Sequence, residues 1–244
     1  MNIIVPMAGG GTITQRGQRK PRFLADVEGK PLFARALSGY KDSDRIYFII
    51  RRTHYEKYGL NNMIADYVSS NAKVLLLDEQ TAGQADTALA INRYVNNDDP
   101  LVIVSPDHIA NCDLHNVRIT AEQDKSLGVI VVANEIKAGD SKFYVSLRRT
   151  DPEDVDYEVN YITPDYGNEC YAVAGIYYWH FGFQFIRYAR QMVKKKHSYE
   201  GRYFIAPVFN EAVMDNQKLS VYTVQSSWFI QRADHIRTFI QDGK

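Results

Sequence analysis

The chain has 244 residues, 45% of them apolar, which is enough to bury a sizeable core in one large domain or two small ones. Its formal net charge is zero, so nothing global favours nucleic acid or a membrane surface. Two distant cysteines, Cys112 and Cys170, form no metal-ligand pattern, and no stretch approaches the length of a membrane span. No charged leader precedes the first apolar run, and free thiols fit a cytoplasmic setting.

In chain order, Ile3–Val5 reads as a buried strand that breaks into Gly9-Gly10-Gly11. A glycine run at a strand end lets backbone approach a phosphate closely. Arg16, Arg19, Lys20 and Arg22 follow before any acidic residue, so the segment Ala8–Arg22 is expected to be a loop that cradles an anion. Leu32–Tyr40 is expected as a helix after Pro31, Arg45–Ile50 as a strand, Tyr55–Val68 as a helix and Lys73–Leu77 as a strand. Gln84–Tyr94 then reads as a helix and Leu101–Val104 as a strand. This alternation predicts a three-layer α/β/α fold with a mainly parallel central sheet. The second half predicts strands at Leu127–Ala133, Phe143–Leu147, Tyr157–Ile162, Ala172–Trp179 and Leu219–Val224, so the sheet is mixed overall. Helices are expected over Phe183–Lys195, Tyr203–Met214 and Asp234–Gln241. No Pro/Gly/Ser linker or internal repeat interrupts the chain, so 1–244 reads as a single domain.

Ligands of such sheets bind beyond the carboxyl ends of the strands, which directs attention to three loops. The glycine run is not a P-loop, because no Gly-Lys-Ser/Thr follows. It is a poor dinucleotide fingerprint, because Thr14 stands where a third glycine belongs. In Ser105-Pro106-Asp107-His108, a buried strand ends on a lone carboxylate, a hard oxygen ligand suited to Mg²⁺ held against nucleotide phosphates. A plain turn Asp is the alternative, and His108 is expected to fill that turn. In Thr81-Ala82-Gly83-Gln84, glycine allows close approach and the Gln84 amide can both donate to and accept from a base edge. The same stretch also serves as a helix start capped by Thr81 or Asp86.

These segments, in this order, resemble the sugar nucleotidyltransferases, the nucleotide-sugar pyrophosphorylases. The matching text is Ile4-Val-Pro-Met-Ala-Gly-Gly-Gly-Thr12, Asp26-Val-Glu-Gly-Lys-Pro31, Thr81–Thr87, Asn96–Leu101 and Ser105-Pro-Asp107, then Val173–Tyr178 and Phe204–Asn210. The resemblance implies a nucleotide-diphospho-sugar transferase fold, with residues 1–110 as the nucleotide half and 111–244 as the sugar or acceptor half. It also implies Mg²⁺-dependent transfer of a nucleoside monophosphate from a nucleoside triphosphate to a sugar 1-phosphate or similar acceptor, serving surface polysaccharide synthesis. Carried over by position, Ala8, Gly9, Gly10 and Gly11 would hold nucleotide and phosphates, with Gly83 and Gln84 at the base. Arg22 and Asp107 would be catalytic, Asp107 also binding the metal. Gly175 and Glu200 would lie near the sugar. A homo-oligomer is compatible with this reading.

The chain departs from the family's pattern where catalysis is concerned. Ile13 stands at the position of an arginine that usually meets the triphosphate, and the proline-lysine-proline element becomes Pro21-Arg22-Phe23. The usual sugar-binding glutamate is replaced near Gly201-Arg202, with Glu200 close by. No lysine occurs within Val159–Pro164, and Trp228–Arg232 lacks an acidic residue. Such changes imply a changed substrate, a changed reaction or lost catalysis. Two rivals therefore accompany the leading function: a glycosyltransferase using a finished nucleotide sugar, and a non-catalytic relative that binds nucleotide or a partner.

Overall fold

Alternating side chains along the buried strands build two apolar layers, one on each face of a central sheet. Ile3, Val5 and Met7 face one layer while Ile4 faces the other, and Phe48 and Ile50 oppose Tyr47 and Ile49 in the same way. The computed structural model describes residues 1–40, 45–149, 157–167 and 170–242. Among these, strand β1 (Asn2–Met7) leads through the glycine run into a hairpin, β2 (Thr12–Gln15) and β3 (Gln18–Pro21), followed by a 3-10 turn at Arg22–Leu24. A second small hairpin, β4 (Asp26–Val27) and β5 (Lys30–Pro31), precedes α1 (Leu32–Ala36). Then come β6 (Arg45–Arg51), α2 (Arg52–Lys57), α3 (Leu60–Tyr67), β7 (Lys73–Leu77), α4 (Gln84–Leu89), α5 (Asn92–Val95) and β8 (Leu101–Val104). The second half comprises β9 (His108–Ala110), α6 (Leu114–Gln123), β10 (Gly128–Ala138), β11 (Tyr144–Arg149), β12 (Tyr157–Thr163) and β13 (Cys170–Trp179). It continues with α7 (Gly182–Lys195), α8 (Val208–Met214), β14 (Leu219–Phe229) and α9 (Ala233–Asp242).

The main sheet runs β7-β6-β1-β8-β13-β10-β14-β9, with β11 and β12 extending from β13. Neighbours from β7 to β8 are parallel, as are β10 and β14, whereas β13 is antiparallel to both β8 and β10. The β8–β13 pairing carries one sheet through both halves of the chain. Helices α4, α7 and α8 cover one face through Ala85, Phe185, Met192 and Phe209; α1, α3 and α6 cover the other through Phe33, Ile64 and Val117. Each such fully buried large side chain contributes about 1.5–3 kcal/mol. The mainly parallel, mixed sheet with helices on both faces is therefore the expected one.

Four expected elements differ locally. The stretch after the glycine run is a hairpin rather than a loop: Thr12 and Pro21 pair, and the two-residue turn Arg16-Gly17 has positive φ at both residues. Ile13 is buried by it in a third cluster with Val27, Leu32, Ile230 and Ile236. The expected helix Tyr55–Val68 starts at Arg52 and divides at Gly59, whose left-handed backbone breaks it between α2 and α3. Gln84–Tyr94 likewise divides into α4 and α5. The helix expected from Tyr203 begins only at Val208, because Tyr203 is extended: its N–H donates to Ala82 O at 2.9 Å and its carbonyl accepts from Ala85 N–H at 3.0 Å.

Candidate active site

The carboxyl ends of β1 and β8 open onto a cleft of about 190 Å³. Its lining includes Gly9, Gly10 and Gly11, Arg22, Gly83, Gln84 and Asp107, so three sequence-distant loops do meet there. The glycine run has no left-handed residue among the described ones; what the missing side chains provide is room. A Cβ at Gly10 would stand 3.2 Å from Gln80 Nε2, and one at Gly11 3.3 Å from Arg22 Nη2. Arg22 is tied to the run by its own N–H, which donates to Gly11 O at 3.0 Å. Ala8 is fully buried beneath the loop and does not line the cleft.

Asp107 sits where β8 ends, 14% of its side chain exposed. Arg22 Nη1 donates to Asp107 Oδ2 at 2.8 Å, and His108 Nδ1 donates to Asp107 Oδ1 at 3.2 Å. Burial alone would raise the Asp107 carboxyl, but the hydrogen bond and charge of His108, then those of Arg22, outweigh it and hold its pKa below the ordinary value. His108 does more than fill a turn. Its ring stacks on Phe229 with centroids 4.1 Å apart, and the Arg22 guanidinium lies 5.5 Å over the same Phe229 ring. The pairing of β9 with β14 brings Phe229 opposite His108.

Gly175 does not line the cleft. Its φ of +79° and the 2.6 Å between a hypothetical Cβ and His108 Cγ show that it makes space for the histidine ring. Glu200 is exposed in a turn and also lies outside the lining. Among Arg16, Arg19, Lys20 and Arg22, only Arg22 reaches the cleft; Arg16 pairs with Asp26 at 3.6 Å and Arg19 Nε donates to Thr12 Oγ1 at 3.1 Å. The position where the resemblance expects an arginine is a core residue, Ile13, which is 3% exposed.

The Thr81–Gln84 loop is fixed by its own hydrogen bonds. Thr87 Oγ1 donates to Gly83 O at 2.9 Å, and Asp86 Oδ2 accepts from Ala82 N–H at 2.9 Å. Gly83 has φ +143°, and a Cβ there would fall 2.3 Å from Tyr203 O. The Gln84 amide makes no hydrogen bond to a described residue, which leaves it free for a ligand.

Sequence reasoning gave no site role to Lys142, Phe143 or Phe229, which line the cleft; Gln80, Arg202 and Phe204 line it too, in or beside segments that the sequence had singled out without assigning these side chains a role. Lys142 Nζ lies 5.1 Å over the Phe204 ring. An isolated antiparallel bridge between Tyr199 and Arg202 puts Arg202 at the exit of the Glu200-Gly201 turn. No local signal marks the others.

A protein-held metal needs several ligands, and no group of three His, Cys, Asp or Glu that could hold an ion occurs among the described residues. Asp107 is the one carboxylate among the lining residues. This donor set does not build a resident metal site, but one ionised oxygen ligand suits a Mg²⁺ that arrives already chelated by a polyphosphate.

The architecture and cleft position define the fold of the nucleotide-sugar pyrophosphorylases and sugar-phosphate nucleotidyltransferases. The nucleoside-diphosphate-sugar pyrophosphorylase of Vibrio cholerae RC9 is similar with a TM-score of 0.73 and 16% identity, over 98% of this chain and 100% of that one. The inositol-1-phosphate CTP transferase of T. maritima gives 0.68 and 13%, over 99% and 96%. A putative glucose-1-phosphate thymidylyltransferase from Bacillus anthracis gives 0.68 and 15%, over 98% and 94%. No protein-family model and no curated protein matches the chain. No described helix is long and apolar enough to cross a membrane.

Proposed function

We propose that this protein transfers a nucleoside monophosphate from a nucleoside triphosphate to a sugar 1-phosphate or similar phosphorylated acceptor, for surface polysaccharide synthesis. The observation that carries the reading is the convergence of Gly10, Gly11, Arg22, Gln84 and Asp107 on one cleft of this fold. In the reaction an acceptor phosphate oxygen attacks the α-phosphorus, the new O–P bond forms, and the bond to the bridging oxygen breaks with release of pyrophosphate. The attacking oxygen is already anionic, so the protein's task is in-line positioning and charge stabilisation rather than proton transfer.

Gly10 and Gly11 give the triphosphate close access to backbone. Arg22 presents a planar fork to its oxygens, exchanging its bond to Asp107 for bonds to phosphate. Gln84 meets the base edge. Asp107 would hold Mg²⁺ carried by the nucleotide, an ion that neutralises charge on the phosphates. Lys142 and Arg202 serve the acceptor side.

A second reading is supported by the burial of Ile13 and the single lining carboxylate: a relative that binds nucleotide without turning it over. Pyrophosphate release, assayed with the four common nucleoside triphosphates and a panel of sugar 1-phosphates, tests the first reading. Thermal stabilisation by a triphosphate without pyrophosphate release would favour the second. Consumption of nucleotide sugars instead would indicate a glycosyltransferase.

A further inference from the structure

Phe229 is buried, 4% exposed, yet it belongs to none of the three apolar clusters formed by the described residues. Its ring carries polar groups instead. The His108 ring stacks on it with centroids 4.1 Å apart and 9° between the planes, and Arg22 Cζ lies 5.5 Å over its centroid. These are the two groups that hold the Asp107 carboxylate, Arg22 at Oδ2 and His108 at Oδ1. The backbone closes the arrangement, because Ile230 N–H donates to Asp107 O at 3.0 Å. Behind Phe229 there is no slack: a Cβ at Gly139 would stand 2.2 Å from Phe229 O. One ring on braced backbone therefore carries both partners of Asp107.

The two contacts of Arg22 differ in kind. Asp107 is the only hydrogen-bond partner of its side chain among the described residues, and Arg22 Nε is buried with none. An anionic ligand that takes Arg22 takes it from Asp107. With that carboxylate as sole anchor, the long side chain would regain its rotamers on release and lose them again on binding. The aromatic contact escapes this exchange. A cation is drawn to the ring by the charge distribution of its π-face, so Phe229 does not compete with an anion as a hydrogen-bond acceptor.

We propose that Phe229 is a positioning residue for triphosphate recognition, keeping the Arg22 guanidinium in the cleft while phosphate replaces Asp107 as its hydrogen-bond partner; this rests on the nucleotide reading of the cleft.

The test measures binding of the four common nucleoside triphosphates and their monophosphates to the full chain by calorimetry, with Mg²⁺ present. Phe229→Leu fills much of the same space without an aromatic face. It should weaken triphosphate binding about fivefold more than monophosphate binding, the scale of one cation–π contact. In an Arg22→Ala background the same change should no longer separate the two ligands, because the group that Phe229 holds is gone. No loss, or an equal loss for both ligands, overturns the proposal, as does a selective loss that persists in the Arg22→Ala background. Should Phe229→Leu fail to fold, pentafluorophenylalanine at this position keeps the shape of the ring and removes the attraction of its face. It should reproduce the selective loss, and unchanged selectivity overturns the proposal. Absence of triphosphate binding by the unaltered chain would instead remove the nucleotide reading itself, and this proposal with it.

Discussion

Arg22 Nη1 and Asp107 Oδ2 lie 2.8 Å apart, so a cation suited to triphosphate oxygens and the one lining carboxylate satisfy each other before any ligand enters. On the proposed function, nucleotide binding divides this pair between phosphate and metal. In Asp107→Asn, triphosphate affinity should become indifferent to Mg²⁺. The same variant in EDTA should bind at least as well as the unaltered chain, because Arg22 is released. Calorimetric titrations with Mg²⁺ and with EDTA decide it; persistent metal dependence in the variant removes Asp107 from the metal.

Arg22→Ala takes away the fork and leaves Asp107 with His108 alone. Triphosphate binding should weaken about tenfold more than monophosphate binding, the scale of a lost charge-assisted contact. Equal losses for both ligands would show that Arg22 only supports the loop.

Gly83→Ala places a methyl group 2.3 Å from Tyr203 O at a backbone angle that side-chain-bearing residues avoid. The base-side loop and the Arg202–Phe204 segment have to separate. A cost of at least about 2 kcal/mol is expected, lowering Tm by roughly 5 °C or more. An unchanged melting curve would mean that this contact yields without cost.

His54 is held neutral by burial first, then by the charges of Arg51 and Lys57, which bring its pKa down to about 4. Arg51 Nη2 donates to its Nε2 at 2.5 Å. Here the unfolded chain takes up the proton first, since its histidine keeps the usual value near 6.5. Stability should therefore fall as pH drops from about 6.5 towards 4 and level off below that. Denaturant midpoints measured across this range should fall less steeply in His54→Gln. Identical slopes would assign the acid loss to other groups.

What could be read from the residues differs between scaffold and site for a physical reason. Runs such as Arg45–Ile50 and Leu101–Val104 declare buried strands, and Asp107 follows from its place at the end of one. Gly59 dividing a helix and Arg16-Gly17 forming a turn were equally local signals, outweighed by the helical spacing and cation clustering around them. The end of the cleft lined by Arg202 and Phe204 was hidden more deeply. Tyr203 and Phe204 precede a true helix with suitable apolar spacing, and the pairing of Tyr203 with Ala82 and Ala85 keeps the segment out of it. The stacking of His108 on Phe229 depends likewise on β9 meeting β14. Contacts between distant segments leave no periodicity to read.

The small cluster that buries Ile13 bears on synthesis. Of the residues packed with Ile13, Ala25, Val27 and Leu32 follow it closely in synthesis, whereas Ile230 and Ile236 come long afterwards. Until the last two emerge, the apolar side of the hairpin beside the glycine run is only partly covered. The hairpin beside the glycine run thus gains its last supports only after more than half of the chain has followed it, which makes folding dependent on a long-range closure and exposes that hairpin to misassociation in the meantime.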